Sequence, residues 1–592
     1  MTKKRTSDVS PPKGKITNTT TLTKRYISLI SPYTLRNILI CGILIFSSVS
    51  IIIYSHLMDI ESTYEGKDPR FNTNRNDTIT KKEEALSSEL DSRLQKSHLL
   101  SELDPRLQKN NNHVNPGRAW GSEKGKIACD QDIYRLISYW NDPRSDVDRS
   151  FTSPFLQSPS VSHIKRPKRT RYLSFEPDSG GWNNIRMEFE IMVVLAAATG
   201  RTLVLPPDNP LYLLNKEQKN KHRGLQTFFS GFDDIVDTIS TEDFIQLEMV
   251  EKKNYPLPSN EGDRTKLMGS LNKCIWMKKS EISCMQLFNY LTEVADLVPR
   301  WHGEKHCLIM DDVNWSKDSE LSHVDDKQLQ RILQFCGGRE PIYYNTQIHD
   351  APLVHFHTHT LKDTRLLVHF YAFIYFLNPE IGNWAKRLVR DRVRYSDEIQ
   401  CAAGKIVRSL IEESIGRKKN GGGAEAGYFS MHIRRGDFQW PKMRISAEEW
   451  HENTRKWLEP DDQHLLYIAT DETDRTFFEP LMKHYKVRFL SDYEELAGLS
   501  NLDPNFVGMI DQVVASKARD FVGTYFSSFS AYIGRMRGYH NISGKRMFYS
   551  HPKYFYETHS WVDPHSSYSA REFPTGWAGI DGVLEPNEAF FR

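Results

Sequence analysis

Between residues 427 and 539, short apolar runs alternate with helix-patterned segments, and this alternation restricts the fold more than any other feature of the chain. The runs are residues 427–433, 465–470, 486–490 and 520–523. The helical segments end near His484, span Met509 to Lys517, and begin again near Ala531. Strands this short, joined by crossover helices, pair in parallel, and a parallel sheet needs cover on both faces. The pattern therefore predicts a doubly wound α/β sheet, which binds ligands along the carboxyl edge of its strands.

Polar clusters recur at that edge. The first run passes into His432-Ile433-Arg434-Arg435-Gly436-Asp437-Phe438, the second into Thr470-Asp471-Glu472, and the fourth, after Thr524, reaches Ser527-Ser528-Phe529-Ser530 just ahead of a helix. A guanidinium forms a planar, permanently charged fork that suits phosphate oxygens. Hydroxyls and unpaired N–H groups at a helix start favour an anion. Asp471 is placed to accept hydrogen bonds from a base or ribose, and Phe529 offers a stacking surface. Singly, each has an ordinary reading as a surface turn, a strand-end turn or a helix cap. Three at one edge describe a nucleotide-diphosphate pocket.

A second βαβ pattern lies earlier. Tyr172-Leu173-Ser174-Phe175 reads as a strand, the loop through Glu176, Asp178, Gly180, Gly181 and Asn183 follows, and Met187, Ile191, Val194, Leu195 and Ala198 mark one helix face. Gly200 is placed to end that helix, and residues 201–205 form the next strand. The turn lacks GxGxxG, so no dinucleotide fingerprint is supported. A long helical stretch from Arg365 to about Ile415 separates this half from the second. The expected architecture is α/β and GT-B-like: two doubly wound Rossmann-like domains facing a cleft, residues 127–420 on the acceptor side and 421–592 on the nucleotide-sugar side.

The 592 residues carry a formal net charge of only +2, which gives no field for nucleic acid. Residues 38–54 hold no charge and span about 25 Å as a helix, close to the roughly 27 Å of an early secretory bilayer. Basic residues precede them, which predicts a cytosolic tail (1–37), a transmembrane signal anchor (38–57) and everything beyond in the lumen. A cleaved signal peptide is the rival, but no small-residue cleavage site follows. Residues 58–126 are polar, with a short tandem repeat, and read as a largely disordered stem. Six cysteines follow Cys41, an even number that fits an oxidising compartment; Cys274–Cys284 is the pair expected on closeness. Sequons at Asn76, Asn314 and Asn541 agree with that address.

The blocks HIRRGDF, ATDE, DQVVASKARDFVGTYFSSFSAYIGRMRG and FEPDSGGWNNIRMEFEIMVVLAAATGRTLVLPP resemble the GDP-fucose protein O-fucosyltransferase family, in its fungal and plant-like form. The resemblance covers most of Arg171 to Tyr539, with the blocks in the family's order. It implies an inverting, metal-independent GT-B enzyme of the secretory pathway; with the anchor, the expectation is a single-pass type II protein of the Golgi or endoplasmic reticulum membrane. Its donor is GDP-fucose, with no further cofactor, and its acceptor is a luminal glycoprotein or glycan. By position it assigns Arg434 to the β-phosphate and His432 and Asp437 to the same nucleotide motif. Asp471 falls near the guanosine, Ser527, Ser528, Phe529 and Ser530 on the phosphate turn, and Gly180, Gly181 and Asn183 on the loop facing sugar and acceptor. Some family members carry a glutamate base in that loop, where this chain has Gly180. Two readings stay open: Glu176 or Asp178 takes the acceptor proton, or the departing GDP does. Two rivals are weighed as well. A metal-dependent enzyme would use Asp311-Asp312, Asp471-Glu472-Thr473-Asp474, or the alternating His355, His357 and His359. It is disfavoured by imperfect acidic spacing and by the lack of a carboxylate beside the histidines. The other rival is a non-catalytic luminal nucleotide-sugar-binding protein.

Overall fold

The computed structural model describes residues 129–137, 151–158, 169–177, 181–207, 228–230, 232, 235–271, 284–301, 305–313, 324–336, 338–357, 374–419, 427–436, 441, 444–455, 458, 464–524, 527–540, 542, 547–550, 558–560 and 577–581. The expected cytosolic tail, anchor and stem, the asparagines of the three sequons, and Asp178, Gly180, Asp437 and His359 lie outside them. Among the described residues no helix is long and apolar enough to cross a membrane.

The first half is built on a four-stranded parallel sheet. Its strands are β1 (Tyr172–Phe175), β2 (Thr202–Leu205), β3 (Thr238–Ser240) and β4 (Leu353–Phe356), in the order β3-β2-β1-β4. Helix α1 (Trp182–Thr199) joins β1 to β2 and is buried along almost its whole length. Gly200 ends it in the left-handed region (φ 63°), where a side chain would be strained. A smaller parallel sheet of His306–Met310, Glu340–Tyr343 and Ile374–Phe376 stands beside it.

The stretch expected to be helical from Arg365 to about Ile415 is corrected, because strands interrupt it. Its described part is the strand Ile374–Phe376, helix α2 (Pro379–Arg392), the two-residue strand Arg394–Tyr395 and helix α3 (Asp397–Lys419). Asn378 caps α2 through the Glu380 N–H and Pro379 occupies its first turn, so a new helix must start there. Ile374 and Phe376 are both buried, as a strand packed on its neighbour requires.

The second half is a six-stranded sheet with the order β7-β6-β5-β8-β9-β10. Its members are β5 (Phe429–Ile433), β6 (Leu465–Thr470), β7 (Lys486–Phe489), β8 (Asp520–Thr524), β9 (Met547–Ser550) and β10 (Thr558–Ser560). All pairings are parallel except β9 with β10. Helices α4 (Ala447–Thr454), α5 (Val507–Ser516) and α6 (Ser528–Tyr539) supply its cover. A reciprocal capping box of Ser446 and Glu449 opens α4.

One apolar core runs through both halves, from Phe155 and Tyr172 through Val389 to Ile510 and Tyr532, and residues 117–592 form one compact unit. Three ties reinforce it. Glu190 of α1 meets Arg535 of α6 and accepts from Tyr532 Oη at 2.7 Å and from Arg186 Nε at 3.0 Å. The Arg186 guanidinium lies 3.9 and 4.0 Å from the Tyr395 and Tyr532 rings, a cation between two π faces. Near the chain's end, Asp581 takes a paired bond from buried Arg390 (2.6 and 2.9 Å), and the Ile580 carbonyl accepts from Arg387. Cys129–Cys401 and Cys307–Cys336 are bridged, connections that the sequence left open. Cys284 is also bridged; its expected partner, Cys274, lies outside the described residues.

Candidate functional site

The carboxyl ends of β5, β6 and β8 adjoin, since β5 lies between the other two. Arg434 follows β5, and its N–H donates to Thr524 Oγ1 (3.0 Å), whose hydroxyl donates to the His432 carbonyl (2.8 Å). One threonine thus stitches two strand ends together. The Arg434 guanidinium pairs with Asp471 just beyond β6, and Asp471 Oδ1 accepts the Arg435 N–H at 2.8 Å. Arg435 turns elsewhere: its Nε donates to Glu472 (2.9 Å) and its guanidinium sits 3.8 Å over Phe477. A bond from the Asp474 N–H and then Arg435 hold the Glu472 carboxyl below its ordinary range. Asp474 accepts from the Thr476 N–H at 2.9 Å, so this acidic run is engaged in arginine pairing and turn capping.

Helix α6 starts at Ser528, three residues earlier than the expected Ala531, which brings Ser528, Phe529 and Ser530 into its first turn. Ser527 is the N-cap residue and its hydroxyl makes no cap bond. The first N–H groups of a helix lack intrahelical acceptors and attract negative charge. Ser530 Oγ lies 2.7 Å from His432 Nδ1, and the His432 ring stacks on Phe529 with centroids 4.3 Å apart. Gly523 in β8 makes this approach possible, because a Cβ there would fall 2.6 Å from Ser530 Oγ and 2.7 Å from its Cβ. Gly523→Ala is expected to displace the start of α6 and to destabilise the fold by about 1–3 kcal/mol, the cost of overpacking, read as a shift of the urea midpoint.

His432 is buried, and burial followed by the charge of Arg434 pushes its pKa down to about 3 from 6.5. It is therefore a neutral spacer. Below pH 6.5 the unfolded chain takes up a proton that the native chain refuses, so stability falls as pH drops from 6.5 towards 3 and is complete above 6.5. His349, also pushed to about 3 by burial, adds to this slope. In His432→Asn, the slope of unfolding free energy against pH between 6.5 and 4 is expected to lessen by up to about one proton, read by denaturation at stepped pH.

On the facing side Gly181 caps α1, and Asn183 sits buried in its first turn. Asn183 Oδ1 accepts from Gln512 Nε2 (2.8 Å); the same nitrogen donates to the Phe529 carbonyl (3.2 Å), and Gln512 Oε1 accepts from Tyr395 Oη. One amide of α5 therefore links the first turn of α1 to the first turn of α6. Sequence reading missed Gln512 and Thr524. The signal for Gln512 was a polar Asp-Gln pair inside the apolar run Met509–Ala515.

The expectation that no carboxylate accompanies the histidines is corrected. Glu176 follows β1, and because β1 and β4 pair in parallel with Ser174 opposite His355, its carboxylate arrives beside His355 and His357. Burial alone would raise the Glu176 carboxyl, but hydrogen bonding to His355 and His357 outweighs it and holds it at about 2. Burial lowers His355, with Glu176 opposing.

A model of the family described as GDP-fucose protein O-fucosyltransferase matches residues 172–540. The chain belongs to that family. The match takes in both sheets' site-forming edges. GDP-fucose protein O-fucosyltransferase 2 of Drosophila melanogaster is 28% identical over 141 residues, covering 23% of this chain and 27% of that relative. The matched stretch is thus about a quarter of the relative's length. Among solved structures, POFUT1 in complex with GDP is 11% identical (64% of this chain, 98% of that one, TM-score 0.30). The fucosyltransferase NodZ from Bradyrhizobium is 13% identical (62% and 94%, TM-score 0.31).

Proposed function

We propose that the chain is an inverting fucosyltransferase that moves fucose from GDP-fucose to a hydroxyl of a luminal glycoprotein or glycan. The observation that carries this reading is the convergence of Arg434 and the open first turn of α6 at one sheet edge, stitched by Thr524. The diphosphate lies between them, and Arg434 leaves Asp471 to grip it; Asp471 then accepts hydrogen bonds from the nucleoside. As the anomeric C–O bond breaks, negative charge moves onto the β-phosphate. The guanidinium and helix N–H groups stabilise that charge, each donor contributing a few kcal/mol. The acceptor oxygen attacks the opposite face of the anomeric carbon, which inverts its configuration.

Neutralisation by arginine and a helix terminus needs no divalent cation at the diphosphate. Glu176 is a poor base for the acceptor proton, being fully buried and held at about 2. Asp178 and the departing diphosphate are the two remaining destinations, and Asp178→Asn separates them by its effect on kcat. The disulfides Cys129–Cys401 and Cys307–Cys336 support an oxidising lumen. With the apolar run 38–54 we read the chain as a single-pass type II protein of the Golgi or endoplasmic reticulum.

The test is GDP release from GDP-fucose by the full-length protein, with and without a panel of glycan and glycoprotein acceptors. Acceptor-dependent release, unchanged by added Mg²⁺ or Mn²⁺, is expected. Tight GDP binding without release on any acceptor would make the chain a binding protein.

A further inference from the structure

Glu176, His355 and His357 form a cluster that fucosyl transfer as described does not use. We propose that these residues bind a first-row divalent cation of the zinc class, on the first sheet and apart from the diphosphate. This inference stands independently of the transfer reaction. Glu176 and His357 come from the loops after β1 and β4, His355 from β4 itself, and all three side chains are buried. One potential ligand atom from each lies within 4.8 Å of the others. Tetrahedral zinc with ligand bonds near 2.1 Å places its donors roughly 3.4 Å apart, close to the 3.5 Å between His355 Nε2 and Glu176 Oε1, so small shifts that part His357 from Glu176 complete the set. Two imidazole nitrogens and one carboxylate oxygen suit zinc and its neighbours better than magnesium or calcium.

The second observation is His355. Its Nδ1 lies 2.9 Å from Ser174 Oγ, an outer contact that fixes the ring and directs Nε2 inward. Nε2 is buried, and its contact with Glu176 Oε1 is long, at 3.5 Å. With a proton, that nitrogen has only this long contact as its acceptor; without one, its lone pair faces a carboxylate. A cation between them resolves both cases. His357 Nδ1 meets Glu176 and also lies 3.3 Å from Thr292 Oγ1, whose hydroxyl donates to the Phe288 carbonyl at 2.8 Å. This nitrogen therefore faces two oxygens and needs either a proton or the cation. The bound ion would fasten the carboxyl ends of β1 and β4, leaving one coordination position open.

The full-length protein, dialysed against metal-free buffer and given equimolar Zn²⁺, is expected to retain about one equivalent by elemental analysis. His355→Gln and Glu176→Gln are expected to lose it, while Arg434→Ala retains it. Retention of the same equivalent by both cluster variants, or none by the wild type, overturns the proposal. Should the variants fail to fold, zinc-edge X-ray absorption on the wild type decides. Two imidazoles with oxygen in the first shell support the site, and sulfur ligation or a shell without imidazole overturns it.

Discussion

Arg434→Ala is expected to lower kcat for fucosyl transfer by about 10²–10³-fold, the loss seen when a positioned donor to developing negative charge is removed. The fold should survive. The Arg434 side chain is one-fifth exposed, and Asp471, about a quarter exposed, keeps the Arg435 N–H as a donor. Arg434→Lys should fall between, because lysine keeps the charge and loses the fork. The measurement is initial-rate GDP release at saturating donor, with circular dichroism as the control. Turnover near that of the wild type in Arg434→Ala would remove the residue from the mechanism.

The second large effect concerns stability. Glu190→Ala is expected to cost on the order of 3–5 kcal/mol, because it leaves the guanidinium groups of Arg186 and Arg535 in an apolar interior without their carboxylate. Both arginines and Glu190 are at most 1% exposed, so solvent screening offers little relief. Glu190→Gln keeps the shape and one acceptor and should cost less. Urea denaturation followed by tryptophan fluorescence gives the midpoint; an unchanged midpoint for Glu190→Ala would show that the network contributes nothing net. Since Glu190 belongs to α1 and Arg535 to α6, loss of this tie is also expected to loosen the two halves at once.

Much of the sheet architecture was legible in the sequence because parallel strands are short, apolar and bounded. The runs at 429–433, 465–470 and 520–524 stand out for that reason, and their polar carboxyl ends announce an edge. The start of α6 was read late, since Ser and Phe have weak helix preference and only tertiary packing against His432 draws Ser528 to Ser530 into the turn. The stretch before 419 reads as helical throughout because strand Ile374–Phe376 is only three residues long, and short apolar runs do not declare their period. The Glu176 cluster was invisible for a different reason. Its carboxylate and imidazoles are some 180 positions apart, and only the β1–β4 pairing, a crossover across the intervening chain, unites them. Disulfide partners were hidden by the same kind of distance: 272 residues separate Cys129 from Cys401.

The pairing of Arg390 with Asp581 has a consequence for how the protein is made. A chain emerging from the ribosome presents Arg390 191 residues before the carboxylate that completes its neutralisation. Until then the guanidinium has Asp391 alone, and the Arg387 bond to the Ile580 carbonyl is equally missing. The packing of α2 is therefore complete only once residues 580 and 581 have been made, unlike domains that fold one after another. Loss of residues 577–581 is thus expected to act as a defect of the opposite half of the molecule.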